Sequence, residues 1–385
     1  MIFRKNPNPG VDAKRFLEMT NERRKRIDET PATPLPKTYA VNELSKAIHP
    51  NFLPARIAAI EEVASNCKVI RLEAMNDTNK FPYFRAGQYI TLSTRVGSSY
   101  VTRPYSISSS PREALNGMME VTVQKAGYFS SYLLEEAQVN DRIIVGEPTG
   151  DFCYDNIRDK NHIVAIAGGS GVTPFISMMK AIKEGSEDFT LTLIYGARSQ
   201  KDLLINPSEY AHPNINVVVV LQNEEVEGYR HGLINKELLK EYVNDSVNVF
   251  MCGPDGMYKF VRKELNEIGF NPSRIRQEHN SIRTRPVEEL KTYKLTVHIR
   301  DKVYVIDARN DETLLTAMER GGVKAPSRCR GGTCGFCHSR LISGEYNVLP
   351  EHEYRRQADY KFGYVHPCST YPESDIEIEV PILVK

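Results

Sequence analysis

Cysteines crowd into one short loop near the C-terminal end of this chain. The stretch SRCRGGTCGFCHSR, residues 327–340, holds three of the seven cysteines, Cys329, Cys334 and Cys337, in the spacing C-x4-C-x2-C. A fourth, Cys368, follows after thirty intervening residues. Thiolates bind soft metals, and an odd cysteine count in a long chain without a secretory signal disfavours a disulfide framework. The loop is therefore predicted to hold a metal centre.

The spacing favours a 2Fe-2S cluster over the zinc site that four cysteines can also form. Zinc ribbons usually pair one C-x2-C with another, whereas here a glycine-rich gap comes first and the last cysteine stands alone. Gly331, Gly332 and Gly335 remove Cβ bulk where the loop must wrap around a cluster. Arg328 and Arg330 are cations that would adjust its redox potential.

The segments around this loop resemble a plant-type ferredoxin over residues 293–385. KLTVHIRDKVYVIDA predicts a hairpin, ETLLTAMERGG a helix before the loop, and DIEIEVP a closing strand. The resemblance implies an α+β domain of the β-grasp type. It also implies the cluster ligands, which are Cys329, Cys334, Cys337 and Cys368.

A 2Fe-2S cluster carries one electron at a time, so another group must load it. The stretch AGQYITLSTRVGSSYVTRPYSISSSP, beginning at Ala86, has short alternating strand patterns broken by glycine and serine, which predict an antiparallel β-barrel. Within it Arg103, Tyr105 and Ser106 follow one extended segment. Their side chains suit a flavin dinucleotide: a guanidinium for pyrophosphate, a phenol against isoalloxazine, and a hydroxyl within reach of flavin N5. Taken alone, such residues on a strand are more often ordinary surface.

A second turn and a family resemblance strengthen the flavin hypothesis. In GYFSSYL, which begins at Gly127, serines at the start of a predicted helix are ordinary N-caps, but the same free amides also bind phosphate. RPYSISSSP, GYFSSYL and EPTGDF resemble the flavin-binding domain of the ferredoxin-NADP reductase superfamily, as used in oxygenase reductases. The resemblance implies FAD, with FMN as the alternative used by one branch. The flavin-binding residues that it implies are Arg103, Tyr105, Ser106, Gly127, Ser130 and Ser131, with Ser106 taking part in catalysis.

From about residue 156 the pattern changes to alternating strands and helices, which indicates a parallel α/β sheet. NHIVAIAGGSGVTPFISMMKAI reads as a buried strand, a glycine turn and an apolar helix. Gly168, Gly169 and Gly171 let the backbone approach a pyrophosphate at the start of that helix. This turn resembles the GGxGxTP turn of the nicotinamide domain in the same superfamily.

The resemblance extends to the far side of the predicted nicotinamide site. It implies that Thr173 and Cys252 lie beside the nicotinamide ring, with Cys252 a catalytic residue and Gly253 and Pro254 completing the strand end. A buried structural thiol is the alternative for Cys252. Near the adenosine ribose, Arg198 and Lys201 suit the 2′-phosphate of NADPH whereas Asp202 suits NADH, so the donor stays open between the two.

Composition bounds the remaining possibilities. Apolar residues make up 41% and charged residues 26% of the 385 residues, as in a soluble globular protein, and a net charge of +1 disfavours nucleic acid as a partner. MIFRKNPNPG lacks the apolar segment of a secretory signal, so we expect a cytoplasmic protein without a membrane span. The predicted division is an N-terminal extension of unknown role, 1–53; an FAD-binding β-barrel domain, 54–155; an NAD(P)-binding α/β domain, 156–279; a linker, 280–292; and a ferredoxin-like domain, 293–385.

Two further segments are predicted to be exposed to solvent. KRFLEMTNERRKRIDE, in the N-terminal extension, predicts a basic helix whose charges form a solvated face. In the linker, Arg283 and Arg285 are expected to be solvated charges.

Together these features predict a reductase that passes electrons singly from NAD(P)H, through FAD and a 2Fe-2S cluster, to an acceptor protein such as an oxygenase or another metalloenzyme. The protein's task is to place the cofactors, which carry the redox chemistry. Two alternatives stay open: a reductase of small acceptors such as quinones or flavins, and a redox-sensing protein without turnover.

Overall fold

The computed structural model describes residues 9–30, 39–48, 52–64, 66–76, 78–278 and 284–381. The chain divides into two units, Met1–Lys46 and Ala47–Lys385. The extension contains helix α1, Pro9–Glu29, and helix α2, Ala40–Ile48, begins within it. Ion pairs one turn apart, such as Lys25 with Glu29 at 3.7 Å, line α1.

The first sheet after the extension is antiparallel and forms the predicted barrel. Its strands are β1, Phe52–Ala64; β2, Cys67–Ala74; β3, Tyr89–Val96; β4, Ser99–Ser106; β5, Met118–Gln124; and β6, Arg142–Gly146, in the order β4-β3-β6-β1-β2-β5. Exposed and buried residues alternate at the start of β1, where Leu53, Ala55 and Ile57 point into the core. Two short helices, α3, Pro111–Leu115, and α4, Tyr128–Glu135, complete this part.

The second sheet is parallel along its whole length. Its strands are β7, His162–Gly168; β8, Thr190–Ala197; β9, Ile215–Leu221; β10, Arg230–His231; β11, Asn248–Cys252; and β12, Ile275–Gln277, in the order β10-β9-β8-β7-β11-β12. The helices are α5, Thr173–Lys183; α6, Lys236–Tyr242; and α7, Asp255–Glu267. The chain runs outward from β7 in one direction to β8 and later returns to the other side at β11. Parallel sheets bind ligands at such a reversal point, at the carboxyl ends of the strands.

The third sheet is mixed and belongs to the predicted ferredoxin-like domain. Its strands are β13, Thr292–Ile299; β14, Lys302–Arg309; β15, Ser339–Ser343; β17, Tyr364–Val365; and β19, Ile376–Glu379, in the order β14-β13-β19-β15-β17. Strands β16, Tyr346–Asn347, and β18, Tyr371–Pro372, form a separate pair. Helix α8, Leu314–Arg320, buries Leu314, Leu315 and Met318 in the core, and α9, Gln357–Phe362, lies further on. The three sheets confirm the predicted fold class; the domain boundaries stay predictions.

The part of the chain with the antiparallel sheet packs closely against the part with the parallel sheet. The ring of Phe152 lies 5.7 Å from that of Phe175 and 5.3 Å from that of Phe250. Nearby, Lys180 of α5 donates to the buried Glu120 of β5 at 2.6 Å. Apolar and charged contacts thus fix the two sheets relative to each other.

The prediction for Arg285 was wrong. Its side chain is only 11% exposed and pairs with Glu373 at 2.5 Å, while its guanidinium covers the ring of Tyr371. Its amide also donates to Asp311 O at 2.9 Å, so this part of the linker is bound to the third sheet's domain. A residue in a polar stretch was mistaken for a solvated one because its carboxylate partner, Glu373, lies 88 positions away. Arg283 lies outside the described residues.

Among the helices that the structure describes, none is long and apolar enough to cross a membrane. The cytoplasmic location stays a prediction of the sequence.

Candidate functional site

One large cavity of about 1820 Å³ lies between the three sheets. It is lined by residues of the barrel, of the carboxyl ends of the parallel strands and of the cysteine loop. Of the residues proposed from sequence, it is lined by Arg103, Tyr105, Ser106, Gly127, Ser130, Gly168, Gly169, Gly171, Thr173, Arg198, Cys252, Gly253, Pro254, Cys329 and Cys334. Three sites predicted from separate motifs therefore open into one space.

Strand β4 carries the predicted flavin-binding side chains. It pairs with β3 so that Arg103 lies opposite Leu92 and Tyr105 opposite Ile90. Tyr105 packs against Phe129 with ring centroids 6.3 Å apart. Burial raises the pKa of the Tyr105 phenol well above its usual value, so the ring presents a neutral hydroxyl.

Arg103 has a partner that the sequence did not predict. Its Nη1 donates to both carboxylate oxygens of Glu319, at 2.8 and 3.0 Å, and to the carbonyl of Thr102 at 2.8 Å. Glu319 belongs to α8 in the third sheet's domain. All hydrogen bonds of Arg103 to described residues use Nη1, so the other donors of its fork are available for an anion at the cavity.

The turn at Gly127 is organised by Ser130. The Ser130 hydroxyl accepts from the amides of Ala126 and Gly127 at 2.8 and 2.9 Å, and it donates to the Gly127 carbonyl. A Cβ at Gly127 would meet no atom of the described residues within 4 Å, so the turn faces the open cavity. Ser131 lies one residue further into α4, its amide bonds to Gly127 O at 2.9 Å, and it is not among the described residues that line the cavity.

The glycine turn after β7 approaches the end of β11 very closely. A Cβ at Gly171 would stand 2.0 Å from the carbonyl oxygen of Cys252, so only glycine fits. Gly169 has a φ of 54° and open space where a Cβ would be. Thr173 begins α5, and its hydroxyl donates to Ser170 O at 2.9 Å. The glycine turn and the first amides of α5 therefore lie together at the point where the strand order of the parallel sheet reverses.

Cys252 lies at the carboxyl end of β11 and is 7% exposed. Burial, with a smaller contribution from the Glu278 carboxylate, raises the pKa of its thiol well above the usual value. The thiol is therefore neutral at physiological pH. The phenol of Tyr258 accepts a hydrogen bond from the next amide, Gly253 N, at 3.0 Å, which fixes the strand end.

The residues of the cavity or the domain interface that the sequence analysis did not identify include Tyr89, Glu278 and Glu319. Glu278 directly follows β12 in the parallel sheet, and a carboxylate at that strand end could have been found from the binding rule for such sheets. Tyr89 lines the same cavity as Cys329 and Cys334. Burial, with smaller contributions from these two thiols, raises the pKa of its phenol well above the usual value. No local pattern indicates Tyr89 or Glu319.

A second cavity, of about 840 Å³, adjoins the end of β8. Arg198, Lys201, Asp202 and Glu224 line it. Asp202 accepts from the Ser199 hydroxyl at 2.6 Å, and Glu224 accepts from the Gln200 amide. Two carboxylates thus lie at the position where the sequence analysis predicts the adenosine ribose.

The cysteine loop has the backbone that a cluster requires. Gly332 and Gly335 adopt φ values of 83° and 67°, which disfavour other residues. The Gly331 and Cys334 amides point at Cys329 Sγ, at 3.4 and 3.5 Å. Amides aimed at sulfur stabilise thiolate charge, so the donor set fits an iron-sulfur centre.

The four thiols group around Cys329 and Cys368. Contacts with the thiols of Cys334 and Cys368 lower the pKa of Cys329, while contacts with Cys329 and Cys337 raise that of Cys368. Cys337 and Cys368 are buried, whereas Cys334 is exposed. Among the described residues no group of three or more His, Cys, Asp or Glu is arranged around a single metal ion.

Comparisons with known proteins agree with this division of the site. Residues 54–154 match the oxidoreductase FAD-binding domain, 165–263 the oxidoreductase NAD-binding domain and 297–373 the 2Fe-2S iron-sulfur cluster binding domain. The last match supports the 2Fe-2S cluster over zinc.

Relatives extend over most of the chain. NADH oxidoreductase HCR of Escherichia coli K12 is 30% identical over 300 residues, covering 77% of this chain and 88% of that protein. The glycine betaine monooxygenase reductase subunit of Chromohalobacter salexigens is 27% identical over 77% of this chain and 87% of its own. The solved structure of phthalate dioxygenase reductase has a TM-score of 0.65 at 20% identity, covering 86% of this chain and 98% of that one, and shows the same fold.

The chain belongs to the electron-transfer reductases of the ferredoxin-NADP reductase superfamily that carry a C-terminal plant-type 2Fe-2S ferredoxin domain. It is an NAD(P)H-dependent oxidoreductase that uses FAD and a 2Fe-2S cluster.

Proposed function

We propose that the protein takes hydride from NADH and delivers single electrons to the metal centre of a separate acceptor protein, an oxygenase component or another metalloenzyme. The observation that carries this proposal is the common cavity, into which Ser106, Cys252 and Cys334 all open. When bound, FAD accepts two electrons as hydride and releases them one at a time to the 2Fe-2S cluster. Reductase subunits of monooxygenases among the relatives support an acceptor of the oxygenase type.

The flavin-side residues are assigned roles from their geometry. Arg103 pairs with a flavin phosphate through the donors that Glu319 leaves available, and the turn at Gly127, fixed by Ser130, presents the first amides of α4 to a phosphate. Tyr105 packs on the flavin, and Ser106 donates at N5. Ser131 acts only through the start of α4, since it lies off the cavity lining.

The nicotinamide-side residues orient the donor. Gly168, Gly169 and Gly171 let the dinucleotide approach the start of α5, as Thr173 fixes the turn by its bond to Ser170. Cys252 borders the ring as a neutral thiol, and Gly253 and Pro254 shape the strand end. Cys329, Cys334, Cys337 and Cys368 hold the cluster as thiolates.

An anaerobic titration tests this function. Stoichiometric NADH, added to the purified protein under argon, is expected to bleach the flavin absorbance and then to produce the EPR signal of a reduced 2Fe-2S cluster. A protein that contains zinc, or that stays colourless after reconstitution with iron, sulfide and FAD, would refute the proposal. NADH-dependent reduction of quinones or free flavins at an undiminished rate in a protein lacking the cluster would instead favour the small-acceptor alternative.

NADH is proposed as the donor because two carboxylates, those of Asp202 and Glu224, line the second cavity beside the cations Arg198 and Lys201. Asp202 and Glu224 accept hydrogen bonds there and would face a 2′-phosphate with like charge, while ribose hydroxyls can donate to them. The relative named as an NADH oxidoreductase agrees with this choice. We expect kcat/KM for NADH to exceed that for NADPH by at least about tenfold.

Two variants, each of which replaces a glutamate by glutamine, test the donor preference. Glu224→Gln should lower the ratio of kcat/KM for NADH to kcat/KM for NADPH, measured with ferricyanide as the electron acceptor. Glu227→Gln, on the exposed side of the same loop, is the control and should leave the ratio unchanged. A ratio that favours NADPH in the unaltered protein would contradict the assignment.

The glycine turn gives a steric prediction. Gly171→Ala forces a methyl group against the Cys252 carbonyl, 2.0 Å away, so the turn must move away from the strand end. We expect kcat/KM for NADH to fall about 100-fold, the effect of a displacement of about 1 Å at a reacting centre, with destabilisation of about 1–3 kcal/mol. Gly256→Ala is the control for adding a methyl group at the same cavity, since its Cβ would meet no atom of the described residues within 4 Å. Equal kinetics in both variants would show that the close approach does not matter.

A further inference from the structure

A single carboxylate connects the flavin strand to the cysteine loop. Glu319 of α8 accepts from Arg103 Nη1 of β4 at 2.8 Å and from Arg330 Nη1 of the loop at 2.8 Å. The amide of Thr102 also points at it, at 3.4 Å. We call these three side chains, Arg103, Glu319 and Arg330, the Glu319 bridge.

The Glu319 bridge is shielded from solvent and carries excess positive charge. Side-chain exposure is 25% for Arg103, 9% for Glu319 and 5% for Arg330. One carboxylate between two guanidinium groups leaves one positive charge unbalanced, and an unpaired charge in such surroundings is costly. Further anions at the two ends would balance it: a phosphate beside Arg103, and the thiolate-ligated cluster beside Arg330.

Both neighbours of Cys329 are tied to the barrel. Arg330 is held through the Glu319 bridge, and its backbone φ of 54° is an unusual value for a residue other than glycine. On the other side, Arg328 Nη2 pairs with Glu147 at 2.5 Å. The first cysteine of the loop is thus clamped from both directions against the part of the chain that carries the flavin-binding residues.

We propose that Glu319 is a positioning residue that couples binding of the flavin to docking of the cluster loop. The proposal rests on the proposed function, in which Arg103 binds a flavin phosphate and the loop binds the cluster. The guanidinium of Arg103 contacts both Glu319 and, in the proposed function, the flavin phosphate. Docking of the ferredoxin-like domain therefore orients Arg103 for flavin binding. By thermodynamic linkage, a bound flavin stabilises the docked domain to the same extent. The bridge thereby keeps the distance for electron transfer short and constant.

The Glu319→Gln variant of the full-length protein, loaded with FAD and cluster, tests the proposal. Stopped-flow spectroscopy with NADH separates flavin bleaching from cluster reduction. We expect the rate of flavin reduction to stay within about twofold. The rate of cluster reduction should fall at least about tenfold, since removing one charge of a buried pair lowers the population of the docked state by that much or more.

The cluster potential separates positioning from a change in driving force. Removal of the carboxylate leaves Arg330 uncompensated beside the cluster, so the potential, followed by EPR in a redox titration, should become more positive. Reduction is then more favourable but slower, which a loss of docking explains and a loss of driving force does not.

Two comparisons decide the outcome. Glu353→Gln removes a carboxylate that pairs with Arg355 inside the same domain, and it should reduce its cluster at the normal rate. Normal cluster reduction in Glu319→Gln, or equal slowing in both variants, would overturn the proposal. Should Glu319→Gln fail to retain its cluster, Glu319→Asp keeps the charge but withdraws the carboxylate; slow reduction supports the proposal and a normal rate overturns it.

Failure of the proposed function would be visible separately. In that case the unaltered protein itself would show no NADH-dependent flavin bleaching or cluster signal. If the unaltered protein shows both and the variants match it, only the role of Glu319 is refuted.

Discussion

Cys334→Ser protein is expected to lose the EPR signal of the reduced cluster while it still transfers hydride from NADH to ferricyanide. Cys334 is the exposed member of the thiol quartet, and its sulfur receives the Phe336 amide at 3.5 Å. A serine hydroxyl is far less acidic than a thiol and makes a poor ligand for iron. We expect cluster content to fall at least about tenfold, since even changes beyond the direct ligands cost 10–100-fold in metal affinity.

Separate measurements show whether the two halves of the reaction are independent. Iron and sulfide content and the EPR signal report the cluster, NADH-ferricyanide activity reports the flavin, and NADH-cytochrome c activity reports transfer through the cluster. The cluster signals and the NADH-cytochrome c activity should be lost, whereas the NADH-ferricyanide activity should remain. Cys153→Ser is the control, because that buried thiol lies outside the quartet. Simultaneous loss of ferricyanide activity in Cys334→Ser would show that the cluster loop is needed for the flavin site to form.

The sequence predicted the parts of the site that depend on local backbone. The C-x4-C-x2-C loop, the GGSGVTP turn and the RPYS segment each place their functional groups within a few residues, so spacing alone constrains the geometry. The close approach of Gly171 to Cys252 illustrates this, since a turn that tight excludes any side chain. The predicted hairpin, helix and closing strand of the ferredoxin-like domain are confirmed as β13 with β14, α8 and β19.

The sequence could not predict contacts that depend on how the domains dock. Glu319 lies on an ordinary amphipathic helix, 216 positions from Arg103, and no periodicity indicates that its carboxylate crosses to another sheet. Arg285 was misassigned for the same reason, since its partner Glu373 is brought near only by the folded domain. Polar residues that look solvated in a local pattern acquire buried partners when two surfaces meet.

Docking also explains why one cavity serves three motifs. Electron transfer requires the reacting groups that the three motifs bind to face one another. The ion pairs Lys180 with Glu120 and Arg328 with Glu147 fix the two neighbouring domains on the barrel. The barrel is therefore the common frame against which the nicotinamide-binding and cluster-binding parts are oriented.

Arg103→Ala should weaken binding of FAD to the flavin-free protein by about 10- to 100-fold. Hydrogen bonds to charged groups contribute about 1.5–3 kcal/mol, and the donors of Arg103 that Glu319 does not use border the cavity. Removal of the guanidinium also leaves Glu319 with Arg330 as its remaining arginine partner. The affinity can be measured by quenching of flavin fluorescence on titration with the apo-protein.

Two further variants distinguish the fork of Arg103 from its charge. Arg103→Lys keeps the charge but loses the paired donors, so its affinity should lie between those of the unaltered protein and Arg103→Ala. Arg95→Ala removes an exposed cation from β3 of the same sheet and should bind FAD normally. Unlike Glu319→Gln, which is expected to keep its flavin, Arg103→Ala should lose flavin and cluster reduction together. Normal FAD affinity in Arg103→Ala would move the phosphate site away from β4 and leave the turn at Gly127 as the principal anion-binding element.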